Sequence, residues 1–199
     1  NYTAITDSAR ASLVAKNLTA TTWFRALVKS GVCAPVYSSV GKITVSPATV
    51  AGTASGDTTV CASSNTSVIS LNGFVGSIQW QSSTTSTTSG FSNISGATGT
   101  TYTATSLGAT TYFRARVKSG VCDSLFSNVV TVTVNPATAG GTVQGSTTVC
   151  TGTNTTTLTL NGSVGSIQWA YSTDSVNYTN TDSARAAFVA TDLTATTWY

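Results

Sequence analysis

The residues with most chemistry to offer are four cysteines, Cys33, Cys61, Cys122 and Cys150, and six aspartates, at positions 7, 57, 123, 174, 182 and 192. His and Glu are absent from the chain. General acid–base work at neutral pH recruits His, Glu or Asp, and a serine nucleophile needs an activating base. The aspartates are scattered, Asp174 and Asp182 excepted, so no catalytic residue is expected. Structural zinc wants Cys and His at close spacing, and calcium wants several oxygen ligands per ion. Neither set is present, and no glycine-rich phosphate loop opens a helix, so no metal and no cofactor are expected. What remains open to the cysteines is oxidation. Regularly spaced pairs in a chain of extracellular character read as a disulfide framework.

The elements that must position these residues come in copies. Thr22-Trp23-Phe24-Arg25-Ala26-Leu27-Val28-Lys29-Ser30-Gly31-Val32-Cys33 returns 89 residues later as Thr111-Tyr112-Phe113-Arg114-Ala115-Arg116-Val117-Lys118-Ser119-Gly120-Val121-Cys122. Cys61 recurs as Cys150 and Trp80 as Trp169 at the same offset. Such self-similarity marks tandem duplication. Residues 47–135 form one complete repeat, 1–46 the C-terminal part of another, and 136–199 the N-terminal part of a third. The chain opens on Asn1 rather than Met, and both ends fall mid-repeat, so it is expected to be a window on a longer chain.

Within the complete repeat the apolar residues alternate between turn signals, the mark of short strands. Strands are expected at about 50–60 with a break at Gly56-Asp57, at 67–71 ending in an Asn72-Gly73 turn, at 76–82, near 91–94, at 101–105, at 110–118 and at 127–134. The 110–118 strand sets Phe113, Ala115 and Val117 against Tyr112, Arg114 and Arg116. Seven short strands with a Trp on the third predict an all-β fold, a tandem array of immunoglobulin-like β-sandwiches. Trp80 and Trp169 are expected in the cores. Leu107 to Tyr112 resembles a tyrosine corner, although Arg114 stands where the second core cysteine of that fold would be. Junctions at Pro47 and Pro136 leave almost no linker, which predicts a semi-rigid rod growing by roughly 40 Å per repeat at about 3.3 Å per strand residue.

Composition agrees with this class. Ser and Thr make up about a third of the 199 residues, 40% are apolar and only 8% charged. That is too apolar for a disordered tail, and three Pro are too few for a mucin-like stalk. A net charge of +3, spread singly, gives no basic patch for nucleic acid. No run reaches the ~18 apolar residues of a membrane span, so no membrane insertion is expected.

The preferred disulfide is Cys61–Cys122, inside the complete repeat, with Cys33 and Cys150 paired outside the window. The alternative joins neighbouring repeats as Cys33–Cys61 and Cys122–Cys150. Trp23, Tyr112 and Trp198 share a repeat position beside Arg25 or Arg114, suggesting a cation–π brace or a sugar platform.

Asp precedes Ser or Thr at Ser8, Thr58, Ser124, Ser175 and Ser183, with Ala, Leu, Val or Thr next. This resembles the O-glycosylation acceptor motif of Bacteroidota; ordinary Asp-Ser turn chemistry is the other reading. Gly-Ser-Ile-Gln-Trp (76–80 and 165–169), Ser-Gly-Val-Cys (30–33 and 119–122) and Asn-Ile-Ser-Gly-Ala-Thr (93–98) resemble the Ig-like repeats of giant surface proteins of Bacteroidota, exported by the type IX secretion system and including gliding-motility adhesins. The resemblance implies an extracellular, cell-surface stalk or filament with no enzymatic role. Its partners would be neighbouring repeats and surface polysaccharide or the substratum. Carbohydrate-binding modules of a secreted polysaccharide-degrading enzyme, or subunits of a self-assembling filament, are the alternatives.

Overall fold

The computed structural model describes residues 2–5, 10–62 and 64–199, and every regular element among them is a β-strand. The first copy contributes β1 (Thr22–Phe24), β2 (Leu27–Val28), β3 (Val36–Tyr37) and β4 (Gly41–Ile43), with β1 on β4 and β2 on β3. The complete repeat contributes β5 (Val50–Ser55), β6 (Thr58–Cys61), β7 (Thr66–Val75), β8 (Ser77–Ser83), β9 (Ser92–Asn93), β10 (Thr101–Thr105), β11 (Thr111–Lys118), β12 (Leu125–Phe126) and β13 (Val130–Asn135). These form one sheet in the order β10-β7-β5 and another in the order β6-β13-β11-β8-β9, with β12 also on β11. The third copy contributes β14 (Thr142–Gln144), β15 (Thr155–Asn161), β16 (Ala170–Tyr171), β17 (Thr179–Asn180) and β18 (Ala187–Thr191). The fold is all-β, built from immunoglobulin-like sandwiches.

The chain divides into two compact units. The first comprises Asn1–Thr58, Ser67–Ala104 and Thr111–Val132; the second comprises Thr59–Thr66, Thr105–Thr110 and Thr133–Tyr199. In the first, period-two alternation sends one face of each strand inward. Ala54, Ile69, Leu71 and Ala104 from one sheet meet Ile78, Trp80, Phe113, Ala115, Val117, Val130 and Val132 from the other, all buried. Burying each large apolar side chain contributes about 1.5–3 kcal/mol, which makes this layer the main source of stability. Trp80 is 0% exposed, and its indole N–H donates to the Gly99 carbonyl at 2.9 Å, so the one polar atom of that ring is satisfied.

The expected break at Gly56-Asp57 has a mechanical cause. Gly56 adopts φ +126°, and a Cβ there would lie 2.7 Å from the Val68 carbonyl oxygen. Asp57 then accepts a 2.8 Å bond from the Thr131 amide, which carries the chain from the β7 sheet to the β13 sheet.

Asn72-Gly73 does not end its strand. β7 runs on to Val75, and pairing with β5 keeps one register on both sides of Gly52 and Gly73, from Val50↔Val75 to Ser55↔Ser70. Both glycines adopt positive φ, +73° and +68°. A Cβ on Gly52 would lie 2.6 Å from the Asn72 carbonyl oxygen, so the backbones approach too closely there for any side chain. The turn comes instead at Gly76.

In the second unit, Trp169 is 5% exposed and stacks on Phe188 with ring centroids 5.6 Å apart. Its indole donates to the Arg185 carbonyl at 2.7 Å, as Trp80 does to Gly99. β15 lies between β14 and β18, as β7 lies between β5 and β10 in the complete repeat.

Candidate functional site

Cys61 and Cys122 lie beside copy junctions. Cys122 follows β11, held by a turn in which its amide donates to Ser119 O at 2.9 Å. Its Sγ rests 3.4 Å from the Pro47 carbonyl oxygen and 4.0 Å from that of Ser46. Thr49, just past the same junction, donates its hydroxyl to Asp123 O at 2.9 Å and accepts from the Ser119 amide at 3.1 Å. Cys61 closes β6, where the next amide, that of Ala62, donates to Asn135 O at 2.7 Å. All four cysteines stand as free thiols in the structure, and strand direction sets the expected Cys61–Cys122 pair at different ends of β11. β11 begins with Thr111 opposite Val132 and runs eight residues before the turn that carries Cys122. Cys61, beside Asn135, belongs to the start of that strand rather than its end.

The bend before β11 is not held by a tyrosine. Asn65 holds it: its amide nitrogen donates to Cys61 O at 2.9 Å and Leu107 O at 2.8 Å, and its oxygen accepts from the Leu107 amide at 2.9 Å. Asn154 repeats the clamp on Cys150 O, Leu193 O and the Leu193 amide at 2.8, 2.8 and 3.0 Å. Asn four residues after Cys in both copies was the sequence signal for it. Arg114, on the face away from the core, does not occupy a core cysteine position.

A cation–π brace is present, with partners other than those the spacing suggested. The Arg114 guanidinium lies 4.1 Å from the Phe91 ring centroid and 4.0 Å from that of Phe126. Arg25 lies 4.0 Å from Tyr2 and 3.7 Å from Tyr37. Trp23 instead faces Lys42 at 5.7 Å, and Trp198 bridges its backbone to Ser172. Phe126 pairs with Arg116 and is a diagonal neighbour of Arg114, and Phe91 precedes β9 on the far side of β8, so the long guanidinium reaches across the sheet to both. Arg114 also donates through Nε to Gln81 Oε1 at 2.9 Å, and Gln81 donates onward to Asn93 at 2.9 Å. A guanidinium lying over these rings makes the stack a brace rather than an open platform for sugar.

One family model, described as a domain of unknown function, DUF8696, matches residues 1–47, 50–136 and 139–199. The chain belongs to that family. No curated protein matches it. Among solved structures, the crystal structure of the FN1–FN3 domains of chicken CNTN1 is similar at 11% identity and a TM-score of 0.32, covering 89% of this chain and 67% of that one.

The Asp-Ser/Thr sites fall in different settings within the DUF8696 copies. Ser8 lies outside the described residues. Thr58 is exposed at the start of β6, and Ser175 is exposed with φ +60°. Ser124 and Ser183 are half-buried. Asp174, before Ser175, accepts bonds from the Asn177 amide at 2.8 Å, the Asn177 side chain at 2.7 Å, the Val176 amide at 2.9 Å and the Ser172 hydroxyl at 2.8 Å. Chiefly through the Asn177 amide, these hold its carboxyl well below the usual range. The loop is therefore secured by the charged form, and the bonds weaken only in strong acid as pH falls through that lowered value. This is ordinary Asx-turn chemistry.

In the third copy a cavity of about 350 Å³ is lined by Tyr171, Phe188, Leu193 and Tyr199 among others. Thr197 and Tyr199, the repeat equivalents of Thr111 and Phe113 at the start of β11, also line it.

Proposed function

We propose that this chain is part of the stalk of a large secreted cell-surface adhesin, in which successive DUF8696 copies supply reach and stiffness and carry out no reaction. The observation that supports it most is the tightness of the first junction. The family matches stop at residue 47 and resume at residue 50. Thr49, in that gap, is bonded through its side chain to both Ser119 and Asp123, and Cys122 Sγ reaches across the junction to Ser46 O at 4.0 Å. A joint whose linking residue is itself fixed resists bending and rotation, and a row of such joints transmits force instead of absorbing it. The resemblance of the repeat motifs to type IX-secreted gliding adhesins gives the finer reading: an extracellular location, an attachment or gliding role, and surface polysaccharide or the substratum as the distal partner. The reading includes no cofactor, no nucleic acid and no membrane insertion. Solution scattering on chains of two, four and six copies tests it. The maximum dimension is expected to rise by roughly 40 Å per copy, from strands of about 3.3 Å per residue. A dimension that stays nearly constant as copies are added would overturn it.

A further inference from the structure

We infer that consecutive DUF8696 copies are joined by a disulfide from the Cys61 position of one copy to the Cys122 position of the next. Three observations place both sulfurs at one junction. Ser46 and Asn135 are repeat equivalents, each ending its copy immediately before Pro47 or Pro136. The preceding residue is held alike in both: the Val45 amide bonds Thr21 Oγ1 at 3.2 Å, and the Val134 amide bonds Thr110 Oγ1 at 3.1 Å. From the copy after the junction, Cys122 Sγ lies 4.0 Å from Ser46 O. From the copy before it, Ala62 N lies 2.7 Å from Asn135 O. Superposing these equivalent carbonyls brings the two cysteine positions to the same junction oxygen.

By bond lengths the Cys61 Cα lies within about 5 Å of that oxygen. A disulfide spans Cα atoms roughly 4.4–6.8 Å apart, so the pairing requires the two backbones to meet beside that carbonyl within this distance. Cys61 and Cys150 are exposed and Cys122 is half-buried, so the thiols are accessible to an oxidant. Every such pair joins one copy to the next, so no two of Cys33, Cys61, Cys122 and Cys150 are partners of each other.

The step is an ordinary exchange. Two thiols lose two protons and two electrons to a disulfide acceptor of the oxidoreductase class, R–S–S–R, which leaves as two R–SH while the new S–S bond forms. This rests on the extracellular stalk reading only in requiring an oxidising compartment and copies in series.

The pairing has a mechanical consequence. Cys61 and Cys122 stand 61 residues apart, and one period of 89 is added to reach the next copy. Each closed loop is therefore longer than a period, successive loops overlap, and every backbone bond lies inside at least one of them. A single cut in the main chain would not separate the array.

The test uses the full natural chain as secreted, alkylated before digestion and mapped without reduction. The sequences around the cysteines differ between copies (Gly-Val-Cys-Ala and Gly-Val-Cys-Asp; Thr-Val-Cys-Ala and Thr-Val-Cys-Thr), so each cross-link can be assigned. Cross-links from the Cys61 type to the Cys122 type of the following copy are expected. Chains nicked once by protease should keep full mass on a denaturing gel until dithiothreitol is added. Cys61→Ser should release one titratable thiol per chain with the strand signal in circular dichroism unchanged. Cross-links within one copy, alkylation of every cysteine, or nicked chains that separate without reductant would each overturn the proposal. None of these outcomes alters the scattering length that tests the stalk.

Discussion

Residues 22–29 and 111–118 are nearly the same sequence in two environments. In the complete copy they form an unbroken eight-residue strand. In the first copy they form β1 and β2, separated at Arg25-Ala26. One side of the strand is paired identically in both. Thr22↔Ile43 to Phe24↔Gly41 repeats as Thr111↔Val132 to Phe113↔Val130, and Leu27↔Tyr37 to Val28↔Val36 repeats as Arg116↔Phe126 to Val117↔Leu125. Even the bond that the Ala26 amide donates to the Ser38 hydroxyl, 2.8 Å, returns as Ala115 donating to Ser127 at 2.9 Å. The difference lies on the other side, where β11 pairs with β8 from Tyr112↔Ser83 to Lys118↔Ser77. In the first copy no strand among the described residues before β1 pairs with that side. Val117 is 0% exposed, and its equivalent Val28 is 62% exposed. Local sequence therefore supplies the strand's alternation, and a long-range partner supplies its continuity and burial.

The comparison breaks most sharply at Trp80. Removing its side chain leaves a large void facing Phe113 and Ala115, and Trp80→Ala should cost about 3–5 kcal/mol. The complete copy should then resemble the first, with β11 amides between Arg114 and Lys118 losing hydrogen-exchange protection. Full protection in the variant would mean that β8 does not hold β11. A finer cut replaces the same residue in both copies. Val117→Ala should destabilise by about 2 kcal/mol, from two lost methyl groups and the cavity they leave. Val28→Ala, at an exposed position, should change stability by less than about 0.5 kcal/mol. Urea midpoints for the two variants should differ clearly; equal midpoints would show that burial is not what separates the copies.

Much of this was legible in the sequence, because alternation is a local property. The faces of β11, the bounds of β10 and the break at Gly56-Asp57 all follow from residue types and turn chemistry. What was not legible depends on partners distant in the chain. Asn72-Gly73 has the composition of a hairpin turn, yet β5 holds it in a strand because Gly52 leaves room opposite. The partners of Arg114 come from Phe91 and Phe126, on segments before and after it, and no spacing along β11 announces them. Cysteine spacing gives the repeat but not the end of the sandwich each thiol occupies; strand direction decides that.

The smallest effect separates the copies at a pair of glycines that sequence alone makes equal. Gly31 and Gly120 occupy the same turn and both adopt φ +51°. Alanine at either must take a left-handed conformation, which costs on the order of 1 kcal/mol. Around Gly31 a Cβ would meet nothing within 4 Å. Around Gly120 it would run into the Ser46 side chain, whose Cβ stands 2.9 Å away at the junction. Ser46 Oγ can rotate aside but its Cβ cannot, so the junction backbone has to give. Gly120→Ala should therefore cost more than Gly31→Ala, by up to about 1 kcal/mol, in the range typical of mild overpacking. Adding Ser46→Gly should remove that excess and leave the common backbone cost, since it deletes the obstructing Cβ. If the double variant keeps the full penalty, the extra cost arises within the turn itself, and the junction is looser than the contacts of Thr49 and Cys122 imply.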